Sequence, residues 1–524
     1  MNIAHFLRQS AIFFPERPAL TWRGTTISYR TFDQRASGFA RWIDSLEFAR
    51  DKRVVLFLDN CPDLLVAMFG TFMAGGAVLP ANSRLTLDEL QFLVSDGDAC
   101  VIVTDLAHVD VARAVARLTD SCVVVAGEDL NILLNGILDK DASVYEIVVM
   151  DPSDTAWIFY TSGTTGQPKG ALLPHSVLNF VTVSWLADLT PLSELDVTLH
   201  AAPLSHGAGF HALAATARGA HQVIFDEPTF DTQKVLQIIS DFSVTNTWLV
   251  PTQIVMLTAK AAELGITGSD IASLQYVVYG GAPITPSALT RALDRFGSIF
   301  VQLLGQGETP MMISVLRRQD HVPELLGSAG RARPGIEVDI VGSNSESLPR
   351  GEVGELVVRG PSVMSGYLNR PEATAETIVD GWLHTGDLGR MTESGFIYLL
   401  DRAKDMIISG GSNVYAVEVE DILARHPLIR EVSVVGIPDD LWGESVVGVV
   451  VVEGTESLNF EALALSLTEL AREHLAGYKI PRRFIFRSNL PRNAYGKVLK
   501  RELRATITEE MNSDLEMQQK GRLS

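Results

Sequence analysis

The chain has 524 residues, 63 of them acidic and 43 basic, which gives a formal charge of −20 at neutral pH. A chain of this length exceeds one ordinary hydrophobic core, so two or more domains are expected. No basic stripe stands out against the acidic background, which argues against nucleic acid as a partner. The three cysteines, Cys61, Cys100 and Cys122, are widely spaced, so neither a zinc site nor a disulfide framework is indicated.

The first half of the chain alternates short aliphatic segments with helical patterns. Strands are predicted at 54–58, 100–104, 122–126, 156–160, 222–225 and 247–250, and helices at 231–242 and 285–296. This alternation is typical of α/β layers with parallel sheets.

One uncharged stretch, residues 64–83, is long enough to cross a bilayer. Gly75, Gly76 and Pro80 interrupt it, and its first half fits a buried helix followed by a short strand. The N-terminus has no basic segment followed by a continuous apolar stretch, so no secretion signal is predicted. We therefore expect no integral membrane segment, and the cytoplasm is the expected compartment.

The pattern changes after about residue 334, where β-rich segments with frequent glycines replace the alternation. The last third mixes both patterns again: helices are predicted at 417–427 and 465–476, and strands at 431–438 and 446–454. This change predicts a domain boundary at about 401–405.

Residues 160–170 read YTSGTTGQPKG, a loop rich in glycine and hydroxyl groups that ends in a lysine. Its glycines, Gly163, Gly166 and Gly170, let the backbone approach a ligand without a Cβ in the way. The hydroxyls and the cation belong to Thr161, Ser162, Thr164, Thr165 and Lys169. Backbone N–H groups, hydroxyls and a cation are together what a polyphosphate needs, although a glycine-rich surface turn is the alternative.

The loop does not follow the Walker pattern G-x-x-x-x-G-K-[ST]. Counted from Gly163, Pro168 stands where the pattern has the glycine before the lysine. Gly170 stands where the pattern has the serine or threonine after it. Without that hydroxyl there is no Mg²⁺ ligand of the Walker kind, which argues against ordinary P-loop chemistry.

Further motifs follow the loop in a fixed order. They are PLSHGAGF at 203–210, YGGAP at 279–283, GQGETP at 305–310, GELVVRGPSVMSGY at 354–367, WLHTGDL at 382–388, DRAKDMIISGG at 401–411 and PRNAYGK at 491–497. Together with the loop, this series resembles the signature of the adenylate-forming (ANL) superfamily, which includes acyl-CoA synthetases, adenylation domains and beetle luciferase. The match runs from about residue 2 to about residue 505.

The resemblance implies an α/β fold. A large N-terminal domain, built of α/β sheet layers and a small β-barrel, would precede a smaller, mobile α+β domain. The expected domains are residues 1–403 and 404–524, with a hinge at Lys404.

The resemblance also implies a reaction in two steps. A carboxylate attacks the α-phosphate of ATP to give an acyl-adenylate and pyrophosphate, and the thiol of CoA then displaces AMP to give a thioester. ATP and CoA are the implied co-substrates and Mg²⁺ is the implied cofactor. The protein must neutralise phosphate charge, position the carboxylate and later admit the thiol.

The family motifs imply a role for each polar residue of the nucleotide site. Glu308, with Thr165, is assigned to Mg²⁺, since a hard divalent ion prefers oxygen ligands. Asp387 and Arg402 are assigned to the ribose. The implied ATP-binding residues are Thr161, Ser162, Gly163, Thr164, Thr165, Gly166, Lys169, Gly281, Ala282, Pro283, Gln306, Asp387 and Arg402.

The implied catalytic residues are Lys497, Glu308 and His206. Lys497 matches the lysine that bridges the carboxylate and the α-phosphate during adenylation. His206 stands where the family has a residue that gates access between the acyl pocket and the thiol channel; a structural histidine is the alternative. The acyl and CoA channel is assigned to His206, Gly280, Gly281, Gly410 and Gly411.

Three positions depart from the family pattern. Leu304 replaces an aromatic residue, Gly307 replaces a threonine, and Asn493 replaces another threonine. None of these changes removes a charged group, so activity is expected to survive.

The residues around the implied acyl pocket favour a plain, apolar acid. Residues 205–209 contain no carboxylate that would pair with an amine, and the candidate walls at Phe210, 250–256 and 280–281 are mostly apolar. We therefore predict an AMP-forming ligase that joins a fatty or aromatic carboxylate to CoA. The alternatives are an acyl-AMP ligase that loads a carrier protein and an inactive acyl- or nucleotide-binding relative. The oligomeric state is left open, with a homodimer as one option.

Overall fold

The computed structural model describes residues 1–46, 52–138, 144–161, 167–227, 229–402, 405–409, 412–439, 442–452, 459–492 and 498–522. Its helices are α1 (His5–Phe13), α2 (Tyr29–Ser45), α3 (Pro62–Met73), α4 (Leu87–Asp96), α5 (Val109–Thr119), α6 (Glu128–Leu138), α7 (His175–Asp188), α8 (Gly207–Ala217), α9 (Thr232–Asp241), α10 (Pro251–Glu263), α11 (Pro286–Phe296), α12 (Pro371–Thr377), α13 (Ala416–Leu423), α14 (Phe460–His474) and α15 (Lys500–Arg522). Single 3₁₀ turns lie at Arg318–Asp320 and Gly477–Lys479.

The strands of the first 332 residues are β1 (Pro18–Trp22), β2 (Thr25–Ser28), β3 (Arg53–Phe57), β4 (Ala77–Ala81), β5 (Val101–Thr104), β6 (Cys122–Val125), β7 (Thr155–Thr161), β8 (Lys169–Pro174), β9 (Val197–His200), β10 (His221–Ile224), β11 (Asn246–Leu249), β12 (Tyr276–Tyr279), β13 (Phe300–Gln306), β14 (Thr309–Leu316) and β15 (Arg331–Ala332). They are followed by β16 (Glu337–Val341), β17 (Val353–Arg359), β18 (Ile378–Val379), β19 (Trp382–Met391), β20 (Ile397–Arg402), β21 (Ile407–Ser409), β22 (Ser412–Val414), β23 (Ile429–Asp439), β24 (Gly443–Val452) and β25 (Arg483–Arg487).

Two sheets with parallel cores form most of the N-terminal part. A nine-stranded sheet has the order β15-β14-β13-β12-β11-β9-β10-β1-β2, and a six-stranded sheet has the order β6-β5-β3-β4-β7-β8. Strands β9 to β13 pair in parallel, as do β3 to β7, whereas the edge strands β2, β8, β14 and β15 run antiparallel. The prediction of α/β layers with parallel sheets is confirmed.

The uncharged stretch at 64–83 belongs to the core of the six-stranded sheet. It forms all but the first two residues of α3, which is buried from Asp63 to Met73, and then the fully buried strand β4. The predicted buried helix and short strand are therefore confirmed. In the part of the chain that the structure describes, no helix is long and apolar enough to span a membrane.

Two five-stranded sheets follow. One has the order β16-β17-β19-β18 with β20 beside β19, and the pairings among its described residues leave it open rather than closing it into the expected small barrel. The other, of order β22-β21-β24-β23 with β25 beside β24, packs with α13, α14 and α15 at the C-terminal end. The fold class is confirmed, with a large N-terminal domain and a smaller C-terminal one; the boundary at 403/404 remains a prediction.

The segment 364–368 joins the first three sheets at one place. The Leu368 N–H donates to the Gly170 carbonyl (2.8 Å), at the start of β8. The Met364 N–H donates to the Glu308 carbonyl (2.8 Å), in the turn between β13 and β14. This junction brings the ends of β7, β8 and β13 together, and the predicted site residues Thr161, Lys169 and Glu308 lie around it.

Candidate active site

Glu308 lies in the tight turn between β13 and β14, and its Oε1 atom accepts two hydrogen bonds. The Thr161 hydroxyl donates from the end of β7 (3.1 Å), and the Tyr367 hydroxyl donates from the 364–368 segment (2.7 Å). Burial raises the pKa of Tyr367, and the charge on Glu308 raises it further, so the phenol stays protonated and can only donate to the carboxylate. Glu308 and Thr161, predicted from separate motifs, are therefore neighbours.

Lys169 stands beside the same tyrosine. It opens β8 and pairs directly with Thr161 in the antiparallel register of β7 and β8. Its Nζ atom lies 5.1 Å from the centroid of the Tyr367 ring, at cation–π distance. Tyr367 thus touches both the predicted phosphate-binding cation and the predicted metal-binding carboxylate, although the sequence assigned it no role.

The predicted ribose site is built on two paired strands. Asp387 on β19 lies opposite Arg402 on β20, and the Arg402 Nε atom is 2.7 Å from Asp387 Oδ1. The Gln306 amide donates to Asp387 Oδ2 (2.7 Å) and to the Thr385 carbonyl (3.0 Å). Gln306 is the last residue of β13, so its hydrogen bond joins the nine-stranded sheet to the Asp387 carboxylate. The structure brings these three predicted residues together.

His206 precedes α8 and contacts an aromatic wall. Its ring centroid lies 4.9 Å from that of Phe159, which is 5.9 Å from Phe210; Phe210 in turn stacks on Trp157 at 4.6 Å. Although part of His206 reaches the surface, desolvation lowers the pKa of its imidazole to about 4. The ring is therefore neutral near pH 7, and its predicted role as a gate stays a prediction.

Two glycines near His206 lie against the same tryptophan. A Cβ on Gly280 would lie 2.4 Å from the Leu303 carbonyl oxygen and 3.1 Å from Trp248 Cη2. A Cβ on Gly207 would lie 2.8 Å from both Trp248 Cε2 and Met311 Cε. The Trp248 indole therefore fills the space between two glycines that come from different elements.

Gly281 follows Gly280 at the end of β12 with a φ of +82°, a left-handed conformation that favours glycine. A Cβ there would meet no atom within 4 Å, so the position is open. Ala282 is half-buried and Pro283 is exposed, which leaves this predicted adenine-side segment accessible to a ligand.

The structure explains why Gly307 departs from the family's threonine. A Cβ at this position would lie 2.3 Å from Thr161 Cγ2 and 2.7 Å from Phe159 Cδ1. A larger side chain would displace Thr161 from Glu308 or push the aromatic wall outward. The absence of the threonine hydroxyl at position 307 therefore agrees with the local packing, which leaves no room for a side chain.

Several predicted site residues lie outside the described residues, and their assignments stay predictions. They are Ser162, Gly163, Thr164, Thr165, Gly166, Lys404, Gly410, Gly411 and Lys497.

Comparison with known proteins gives a consistent result. The model of the AMP-binding enzyme family matches residues 7–368, and that of the AMP-binding enzyme C-terminal domain matches residues 418–497. A feruloyl-CoA synthase of Amycolatopsis is 36% identical over 492 residues, which cover 94% of this chain and 96% of that protein. A medium/long-chain-fatty-acid–CoA ligase of Mycobacterium tuberculosis is 33% identical over 509 residues, with coverages of 94% and 88%.

A similar solved structure is ATP-bound MatB from Rhodopseudomonas palustris. It has a TM-score of 0.86 and 30% identity, and the match covers 97% of this chain and 99% of that chain. Both the sequence and the fold therefore match over nearly the whole length. The chain belongs to the AMP-binding enzyme family, within the adenylate-forming superfamily, and its predicted activity as an AMP-forming carboxylic acid–CoA ligase is confirmed.

Proposed function

We propose that this ligase activates a compact, apolar monocarboxylate, with an aromatic acid favoured over a long fatty acid. The observation that carries this proposal is the position of Trp248 between Gly207 and Gly280, which closes the space behind His206. Met311 and the indole lie beside Gly207, and Phe159 lies against His206; these apolar groups suit a flat apolar acid. The similarity to a feruloyl-CoA synthase supports an aromatic acid, and that to a fatty-acid ligase supports the wider apolar class.

In the adenylation step, the protein must hold a tetra-anion despite a formal charge of −20. Lys169 and the hydroxyl of Thr161 would bind the β- and γ-phosphates together with the loop 162–166. Asp387 would accept hydrogen bonds from the ribose hydroxyls while Arg402 and Gln306 fix the carboxylate. Lys497 would bridge the acid and the α-phosphate, so that opposite charges converge where charge develops.

The residues around Glu308 fit a magnesium ion. A carboxylate flanked by the Thr161 and Tyr367 hydroxyls offers only hard oxygen donors. Within the described chain, the group of three ligating side chains with closely spaced donor atoms is Asp59, Asp105 and His108, which does not include Glu308. A magnesium ion at Glu308 would therefore rely on phosphate and water oxygens, with Thr165 as a further protein ligand; when bound, it would offset phosphate charge.

The thioester step calls for a second arrangement of the chain. We assign residues 1–403 and 404–524 to two domains with the hinge at Lys404, and Gly410 and Gly411 to the pantetheine path. His206, as a neutral ring against Phe159, would move aside to admit the thiol without the cost of moving a buried charge. A cytoplasmic location completes the proposal, and a homodimer is compatible with it.

Release of AMP from ATP and Mg²⁺ tests the proposal across a panel of aliphatic and aromatic acids, with and without CoA. Turnover that needs both CoA and a compact aromatic acid supports it. A strong preference for long-chain acids would contradict the assigned substrate class. Adenylate that accumulates without CoA-driven turnover would favour a carrier-protein loader, and the lack of any acid-dependent signal would favour the inactive relative.

A further inference from the structure

Arg333 is a fully buried cation that none of the family motifs includes. It follows β15, and its side chain has 0% of its surface exposed. The guanidinium forms an ion pair with Asp188, in which Nε lies 3.2 Å from Oδ2 and Nη2 contacts Oδ1. Nη1 donates to the Met311 carbonyl (2.6 Å) and Nη2 to the Ser184 carbonyl (2.8 Å). A charge buried this deeply is tolerated only when its partners are all in place.

The partners of Arg333 belong to two elements that flank the space beside Gly207. Ser184 and Asp188 lie on the last turn of α7, which also carries Trp185. The Trp185 ring is 6.4 Å from that of Trp248 and is fully buried. On this side, Arg333 therefore fixes the helix end against which the Trp248 indole packs.

The other partner, Met311, lies on β14 in an unusual conformation. Its φ is +64°, a left-handed value that residues other than glycine rarely adopt. The Met311 Cε atom lies 2.8 Å from the position of a Cβ on Gly207, so its side chain forms part of the wall of the same space. The hydrogen bond from Arg333 to the Met311 carbonyl stabilises this backbone conformation, and with it the position of the Met311 side chain.

We propose that Arg333 is a positioning residue for the acyl pocket: by tying α7 to Met311, it fixes the wall formed by Trp185, Trp248 and Met311 and so sets which acids fit. This inference rests on the proposed function, because it takes the space next to His206 that the Trp248 indole bounds as the acyl pocket. Arg333 does not touch the reacting atoms. Its effect should appear in acid binding and selectivity and leave ATP binding unchanged.

The alternative is that the Arg333–Asp188 pair serves stability alone. The chain offers a matched control in Arg8, which pairs with Asp33 (2.9 Å from Nε to Oδ1) and donates to the Tyr145 carbonyl (3.1 Å). The Arg8 pair is mostly buried, with 14% and 11% of its two side chains exposed against 0% and 8% for the Arg333 pair, and both arginines donate to a backbone carbonyl. Only the Arg333 pair contacts the residues next to Gly207, so a purely structural role predicts the same behaviour for the two sites.

The test compares Arg333→Met, Arg333→Lys and the double variant Arg333→Met/Asp188→Leu with Arg8→Met/Asp33→Leu in the full-length enzyme. For each protein, kcat, KM for ATP and KM for a series of acids of increasing size are measured, together with the melting temperature. The double variants remove both charges, so folding does not have to tolerate an unpaired buried ion. They keep the question answerable where the single variant fails to fold.

For the Arg333 variants we expect KM for the preferred acid to rise by about tenfold. The reason is that the pocket wall loses the hydrogen bonds from the charged guanidinium that hold it in place. KM for ATP should stay within about twofold, the ranking of acids by size should change, and lysine should restore part of the wild-type ranking. The Arg8 variant should lose stability and keep that ranking. An unchanged ranking in folded Arg333 variants, or an equal rise in KM for ATP, would overturn the proposal. Wild-type enzyme that turns over no acid would count instead against the proposed function.

Discussion

The Tyr367 hydroxyl donates a 2.7 Å hydrogen bond to Glu308 Oε1, while the face of its ring lies against the Lys169 ammonium. One side chain thus contacts both the carboxylate that we assign to the metal ion and the cation that we assign to the phosphates. The carboxylate can face a metal ion only if its second oxygen stays directed away from Tyr367 and Thr161. Tyr367 therefore sets the orientation of Glu308 and the distance between the two charges.

Removal of the Tyr367 hydroxyl should slow adenylation. The Tyr367→Phe variant keeps the ring beside Lys169 but loses the hydrogen bond to Glu308, which is worth about 1.5–3 kcal/mol when the acceptor is charged. We expect kcat/KM for ATP in acid-dependent pyrophosphate release to fall by at least about tenfold. Tyr398→Phe is the control, because the Tyr398 hydroxyl donates to the Glu324 carbonyl instead. Equal rates in the two variants would contradict the assigned role.

Restoring the family threonine at position 307 should harm this protein. The Gly307→Thr side chain would collide with Thr161 and Phe159, and overpacking of this kind costs about 1–3 kcal/mol. We expect a lower melting temperature and a slower adenylation step. The control is Gly477→Ala, since a Cβ on Gly477 would meet no atom within 4 Å. Unchanged adenylation in Gly307→Thr would mean that the loop can absorb the side chain.

A smaller residue at position 248 should widen the range of acids. In Trp248→Leu the space between Gly207 and Gly280 is partly emptied, so longer or bulkier acids should gain in kcat/KM relative to the wild-type substrate. Trp42→Leu is a matched control, because Trp42 is also buried but lies on α2. Both variants should lose about 1–5 kcal/mol of unfolding free energy through the cavity they leave. A size preference that stays the same in Trp248→Leu would argue against Trp248 as the end of the pocket.

Lys497 gives a test that separates the two half-reactions. The Lys497→Ala variant should lose most of its adenylation rate, because it lacks the cation that we assign to bridge the acid and the α-phosphate. Thioester formation from supplied acyl-adenylate and CoA should be spared. Single-turnover measurements of each step distinguish these effects, and an equal loss of both steps would contradict the assignment.

The sequence predicted the polar residues of the nucleotide site better than the apolar residues around the acyl pocket. Thr161, Lys169 and Glu308 come from separate motifs and meet around Tyr367, and Asp387 meets Gln306 and Arg402. The sequence did not predict a role for Trp248. All four residues of β11 are buried, so no alternation of polar and apolar residues indicates which side chains face a ligand.

The burial of Arg333 could not be predicted from the sequence for a different reason. In the sequence RARPG it has the composition of a charged surface turn, and its partner Asp188 is 145 residues away. Local pattern carries no information on a contact over that separation. Tertiary packing alone turns this turn residue into a buried cation.

Buried histidines should make the folded state sensitive to acid. His200 on β9 bonds to the Gln222 side chain (2.9 Å) and lies 5.6 Å, ring to ring, from His211 on α8. Burial lowers the pKa of His200 to about 4 and holds that of His211 well below its usual value. Below about pH 6.5, these histidines bind protons in the unfolded chain but not in the folded chain. The free energy of unfolding therefore falls as the pH drops from there towards 4.

We therefore expect the free energy of unfolding, measured in urea, to be lower at pH 5 than at pH 7.5. His200 alone would contribute up to about 3 kcal/mol over its full titration range. His200→Asn removes this group, so the difference between the two pH values should shrink, whereas His474→Asn on the exposed end of α14 should leave it unchanged. If His200→Asn keeps the full wild-type difference, the proton affinity of His200 is the same in the folded and unfolded chain, and the acid sensitivity has to come from other groups such as His211.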